Sequence, residues 1–131
     1  MVFAIFLTIC NMLIPAIMLG FGLMFEKTSP GKINYFYGYR TRRSMQNEDT
    51  WKFAHFYCGR LWKKIGFILL PLSVIASLPM FWMQSEDGRG ILTCVIEGIQ
   101  IILLIGSIFP VERALKLNFD EQGNRRTTNE A

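Results

Sequence analysis

His55 and Cys58 stand three residues apart, a spacing that sets both on one face of a helix and could begin a metal site. Two ligands do not complete one. The other cysteines, Cys10 and Cys94, are dispersed in apolar sequence, so the odd count reads as small buried side chains rather than a disulfide framework. Glu97 is a carboxyl inside an otherwise charge-free run, with Thr93, Gln100 and Ser107 on the same helical stripe and Leu104 completing the seam. A carboxyl in hydrocarbon costs roughly 3 kcal/mol and normally faces the interior of a bundle. There it either fixes packing through hydrogen bonds or serves a proton or ligand. A third set is basic: Arg40, Arg42 and Arg43 follow Gly38 and Tyr39, with the hydroxyls of Thr41 and Ser44 nearby. A guanidinium offers a planar fork for phosphate or carboxylate, and the same charges also attract anionic lipid at about 1 kcal/mol each. The chain has no glycine-rich phosphate loop, no Ser–His–acid arrangement and no paired intramembrane carboxylates. The sequence therefore predicts no enzyme, no cofactor and no bound metal.

The elements that position these groups follow from composition. Of the 131 residues, 51% are hydrophobic and only 18% are charged, where a soluble domain carries about 25% charge. This excludes intrinsic disorder, a collagen-like repeat and a nucleic-acid-binding tail. Residues 1–25 and 65–85 contain no charge, and 91–111 only Glu97. Each run is about 20 residues, the length a helix needs to cross hydrocarbon. The expected fold is all-α and integral to the membrane: three transmembrane helices in a single membrane domain.

Charge placement sets the expected topology. Residues 26–64 hold nine basic side chains (Lys27, Lys32, Arg40, Arg42, Arg43, Lys52, Arg60, Lys63 and Lys64), and the tail from 112 holds Arg113, Lys116, Arg125 and Arg126. The short turn at 86–90 holds Arg89 beside Glu86 and Asp87. The positive-inside rule then places the 26–64 connection and the 112–131 tail in the cytoplasm and the N-terminus outside. Tyr35, Phe36, Tyr37, Tyr39, Trp51 and Trp62 are expected near the inner interface, Phe81 and Trp82 at the outer one. The first run lacks the basic start of a cleaved signal peptide and reads as a retained span.

Within the connection, Ser29-Pro30-Gly31 ends the first span, and Asn47 can cap a helix with Glu48 and Asp49 in its first turn. Trp51, Ala54, Cys58, Leu61 and Ile65 then form one apolar seam. The reading is a cytoplasmic amphipathic helix that leads into the second span and bends near Gly59. Inside the membrane, Glu97 should lie about 9 Å below the outer boundary at the depth of Ser77, with Ser73 and Asn11 near the level of Gln100. Ala16 with Gly20, and Ser73 with Ser77, supply small surfaces for close helix approach. Pro15, Pro71 and Pro79 suggest kinks that open a polar cavity around Glu97.

The run Asn34-Tyr35-Phe36-Tyr37-Gly38-Tyr39-Arg40-Thr41, followed by Ser44-Met45, Trp51 and Ala54, resembles the signature of the SdpI family of small bacterial membrane proteins. Pro110, Glu112, Leu115, Phe119-Asp120 and Gly123-Asn124-Arg125 resemble that family's last span and tail. The resemblance implies a non-enzymatic protein of the bacterial cell membrane. Its roles would be immunity against a membrane-active peptide toxin, signalling through a cytoplasmic regulator, or both. On this reading Asn34, Tyr37, Gly38, Tyr39, Arg40, Thr41, Ser44 and Trp51 belong to a binding loop; the polar stripe of the third run separately offers Glu97 and Gln100 as candidate binding residues. Expected partners are the bilayer, anionic lipids at the cytoplasmic face, a peptide or regulator, and a second copy of the chain. The competing reading is a small proton-sensitive transporter or channel-like subunit that uses Glu97.

Overall fold

The computed structural model describes residues 1–28, 31–36 and 38–126. Four helices follow one another: α1 (Val2–Lys27), α2 (Glu48–Ser77), α3 (Glu86–Gly106) and α4 (Ile108–Asn118). Three helical stretches are long and apolar enough to cross a membrane: Val2–Lys27, Glu48–Phe81 and Glu86–Asn118. One end of the bundle carries the 31–47 loop and the chain after α4, and is called here the basic end. The other carries the turn between α2 and α3.

Local chemistry starts and stops each helix. Asn47 caps α2 through a reciprocal box: its side-chain oxygen accepts from Thr50 N–H at 2.9 Å, while Thr50 Oγ1 accepts from Asn47 N–H at 3.1 Å. Glu48 and Asp49 fill the first turn, where the helix dipole favours acids. At the other end α2 tightens into a 3-10 turn, Leu78–Phe81, with Pro79 near its start. Ser85 caps α3 by accepting from Gly88 N–H at 3.1 Å. The third span breaks at Ser107, where Pro110 can neither donate to the Gly106 carbonyl nor make room for it. It then resumes as α4, well beyond the expected end at residue 111.

Glycines set the spacing of α1 and α2. A Cβ on Gly22 would lie 2.5 Å from the backbone nitrogen of Lys63, and one on Gly59 would lie 2.6 Å from that of Glu26. Gly66 meets Leu19 in the same way. Gly59 therefore permits contact between two backbones rather than a bend, and α2 runs unbroken through it. The expected Ala16–Gly20 surface faces outward instead: both residues are exposed, and a Cβ on Gly20 would touch nothing. Pro15 and Pro71 lie within continuous helices.

Two apolar clusters hold the rest. Ala4 and Leu7 of α1 pack with Met80 and Ile96 at the turn end. Tyr39, Ala54, Cys58, Val111, Leu115 and Phe119 form the other at the basic end. The outward faces carry Ile5, Phe6, Ile9, Leu13, Phe67, Ile68, Ile99 and Ile102, the apolar coat a bilayer requires.

Candidate functional site

The 31–47 loop is bound into the basic end rather than draped over it. Gly38 takes φ +105°, a left-handed conformation that side-chain-bearing residues disfavour, and this turns Tyr39 inward. The Tyr39 backbone N–H donates to His55 Nε2 at 2.9 Å. Since that N–H can only donate, Nε2 is the unprotonated nitrogen and Nδ1 carries the proton, which it gives to the Trp51 carbonyl at 2.7 Å. His55 is fully buried, flanked by the Trp51 ring at 4.3 Å and edge-on to Phe25 at 4.8 Å. With both nitrogens engaged by backbone, His55 locks the loop and does not begin a metal site with Cys58. No cluster of three or more His, Cys, Asp or Glu side chains occurs among the described residues.

Tyr39 is only 7% exposed, so its ring is not presented to head groups as expected. It packs in the apolar cluster, and its hydroxyl donates to Glu112 Oε1 at 2.8 Å. Burial, then the bond to the Glu112 carboxylate, pushes the phenol well above its ordinary range, so it acts as a neutral donor. Arg43 Nε approaches the other Glu112 oxygen at 3.8 Å. Ser44 is the loop's internal hub: its hydroxyl accepts from Thr41 N–H at 2.9 Å and faces the Tyr39 and Thr41 carbonyls at 3.0 Å, while Thr41 Oγ1 accepts from Ser44 N–H at 3.2 Å. Trp51, expected at the interface, is 1% exposed in the first turns of α2. Tyr39 is drawn in by the Glu112 carboxylate, and the Trp51 ring packs against His55.

The chain after α4 closes over the same end. Phe119 and Arg125 form an antiparallel bridge around a turn with Gly123 at φ +84°. Arg125 forks onto Asp49 with two bonds of 2.8 Å and covers the Phe119 ring at 5.1 Å. The Asp49 carboxylate raises the guanidinium's proton affinity further. Asn47 and Gln46 donate to the carbonyls of Gly123 and Glu121 at 2.7 and 2.6 Å. Residues 119–125 are thus the clasp that holds the start of α2.

Arg40 remains outward. It is exposed, donates one N–H to the Tyr35 carbonyl, and forms no ion pair among the described residues. Tyr35 and Phe36 beside it are 83% and 90% exposed. Asn34 shapes this turn by accepting from Phe36 N–H at 2.9 Å. Tyr37 lies outside the described residues.

Within the membrane, Gln100 Nε2 donates to Ser73 Oγ at 2.7 Å and to the Asn11 carbonyl at 2.8 Å, and Asn11 Nδ2 donates to Ser77 Oγ at 3.0 Å. All four side chains are buried, so the three spans meet at one polar layer, in which Asn11, Ser73 and Gln100 come level as the sequence predicts. Glu97 is not part of it. Its side chain is half-buried, with no hydrogen-bond or ion-pair partner among the described residues. Its stripe is split: Gln100 and Ser107 turn inward, while Thr93 and Glu97 stay half-exposed on the flank of α3. Ser107 receives the indole N–H of Trp62 at 2.9 Å. Sequence reasoning did not assign His55, Glu112 and Asp49 these structural partners, since each acts on a residue distant in the chain.

The sequence comparisons agree with this layout. The model of the SdpI/YfhL protein family matches residues 31–111, from the loop into the first turn of α4. The uncharacterized protein YfhL of Bacillus subtilis (strain 168) is 27% identical over 106 residues, which cover 81% of this chain and 86% of that protein. No solved structure matches. With most of its length under the family model, and with the loop and three spans in one interlocked bundle, this membrane protein belongs to the SdpI/YfhL family.

Proposed function

We propose that the protein is a non-enzymatic binding protein of the bacterial cell membrane, with its basic end in the cytoplasm. It acts in immunity against a membrane-active peptide, in signalling through a bound peptide or regulator, or in both. The observation that carries this reading is the contrast within one short segment: Tyr39 is locked from both its backbone and its hydroxyl, while Arg40 next to it stays exposed and pairs with no acid among the described residues. A held loop whose Arg40 guanidinium keeps N–H groups beyond the one given to the Tyr35 carbonyl is preorganised to take a carboxylate or phosphate. Family membership supports the SdpI type of role.

Deletion and overexpression in the native host test it. Deletion should sensitise the cells to secreted membrane-active peptides, and overexpression should protect them. Unchanged survival in both strains, with the overexpressed protein present in the membrane, contradicts the proposal. The transport reading has one observation in its favour, the half-buried carboxyl of Glu97 with no partner among the described residues, and the Glu97→Gln comparison in the Discussion tests it.

A further inference from the structure

A lateral groove of about 250 Å³ opens at the basic end between α1 and α3. Ile14, Met18 and Phe25 form one wall, Leu104 the other, and Trp62 and Gly38 close its end. It arises because α1 and α3 are held together by Asn11 and Gln100 but separate beyond them. One turn further on stand Ile14 and Leu104, and the Trp62–Ser107 bond ties the end of α3 to α2 instead. Its remaining lining residues, Ile17 and Phe21, are exposed on the apolar face of α1, so the groove opens sideways into hydrocarbon rather than into water. Arg40 follows two residues after Gly38, with only one N–H committed to a described carbonyl.

We infer that this groove and Arg40 together form a site for one anionic phospholipid: an acyl chain lies against Ile14, Phe25 and Leu104, and the phosphate is held by the Arg40 guanidinium. Lipid is the occupant because the opening faces the bilayer core, and an anionic headgroup is selected because Arg40, two residues on from the groove-lining Gly38, is an exposed cation with no ion pair among the described residues. The inference rests on the proposed reading of Arg40 as an anion-binding group, and it names the ligand class of that group.

The test uses the full chain in nanodiscs of phosphatidylcholine doped with phosphatidylglycerol of identical brominated chains, with phosphatidylcholine of the same brominated chains as the control. Tryptophan emission in a Trp82→Phe background comes from Trp62 in the groove lining and from the buried Trp51, so its difference from the emission of a Trp62→Phe/Trp82→Phe protein reports groove occupancy. Brominated phosphatidylglycerol should quench that difference at lower mole fraction than brominated phosphatidylcholine. Arg40→Gln should reduce that preference about fivefold, the effect of one cation near a membrane surface. Leu104→Trp fills the groove, and native mass spectrometry should then find phosphatidylglycerol retained no better than phosphatidylcholine. Equal quenching by the two lipids, or retention untouched by Leu104→Trp in a protein that still melts cooperatively, overturns the site. If the lipid results are negative while Arg40→Lys still abolishes peptide protection, the lipid inference falls and the binding function stands.

Discussion

The Tyr39 N–H and His55 Nε2, sixteen residues apart in sequence, meet at 2.9 Å in the interior of the basic end. This one bond sets the histidine tautomer, orients the loop and joins the start of α2 to the segment that carries Arg40. His55→Ala should therefore strand a buried donor and open a void, at a cost of about 1–3 kcal/mol for the donor alone. The melting temperature of the purified protein should fall, and the 31–47 loop should become sensitive to protease. His55→Gln places an amide oxygen near the Nε2 position and should restore part of the loss. Equal melting of parent and His55→Ala would contradict this role.

The α1–α2 contact depends on absent side chains. Gly22→Ala would place a methyl within 2.5 Å of the Lys63 backbone, and overpacking of this kind costs typically 1–3 kcal/mol. Gly20→Ala, with open space around it, should be silent. Thermal melts of the two variants in the same detergent check the difference.

Topology follows from charge. In a Cys94→Ser background, a cysteine in place of Asp87 should react with an impermeant reagent in intact cells, and one in place of Asn129 should react only after lysis. The reverse pattern would invert the orientation proposed for the basic end.

Glu97 distinguishes binding from transport. The polar layer of Asn11, Ser73, Ser77 and Gln100 does not use it, so Glu97→Gln should leave expression and protection unchanged at acidic and neutral pH alike. A folded Glu97→Gln protein that loses activity, with the parent's activity varying with pH, would favour the transport reading.

Much of the fold was legible because hydrocarbon imposes simple rules. Charge-free runs of spanning length gave the three helices, the Asn47 cap gave the start of α2, and counting depth inward matched Asn11, Ser73 and Gln100. Glu97 was misplaced because a stripe on a helical wheel fixes relative angle only. The rotation of α3 against α1 and α2, set by apolar contacts such as Ala4 with Ile96, decides which half of the stripe turns inward. Tyr39 and Trp51 were assigned to the interface because aromatic rings have that average preference. Tyr39 is buried by its bonds to His55 and Glu112, 16 and 73 residues away in the chain, and Trp51 by packing of its ring against His55 in the interior of the basic end.

The most direct test of the account is a substitution that keeps charge and changes shape. A head-group field acts on charge, whereas a bidentate site needs the two parallel N–H donors that lysine lacks. Arg40→Lys should impair peptide protection nearly as much as Arg40→Ala, with Arg42→Lys and Arg43→Lys silent and membrane levels unchanged throughout. If Arg40→Lys protects like the parent, and Arg40→Ala merely loosens membrane association, the loop is a charge patch and the specific binding site does not exist.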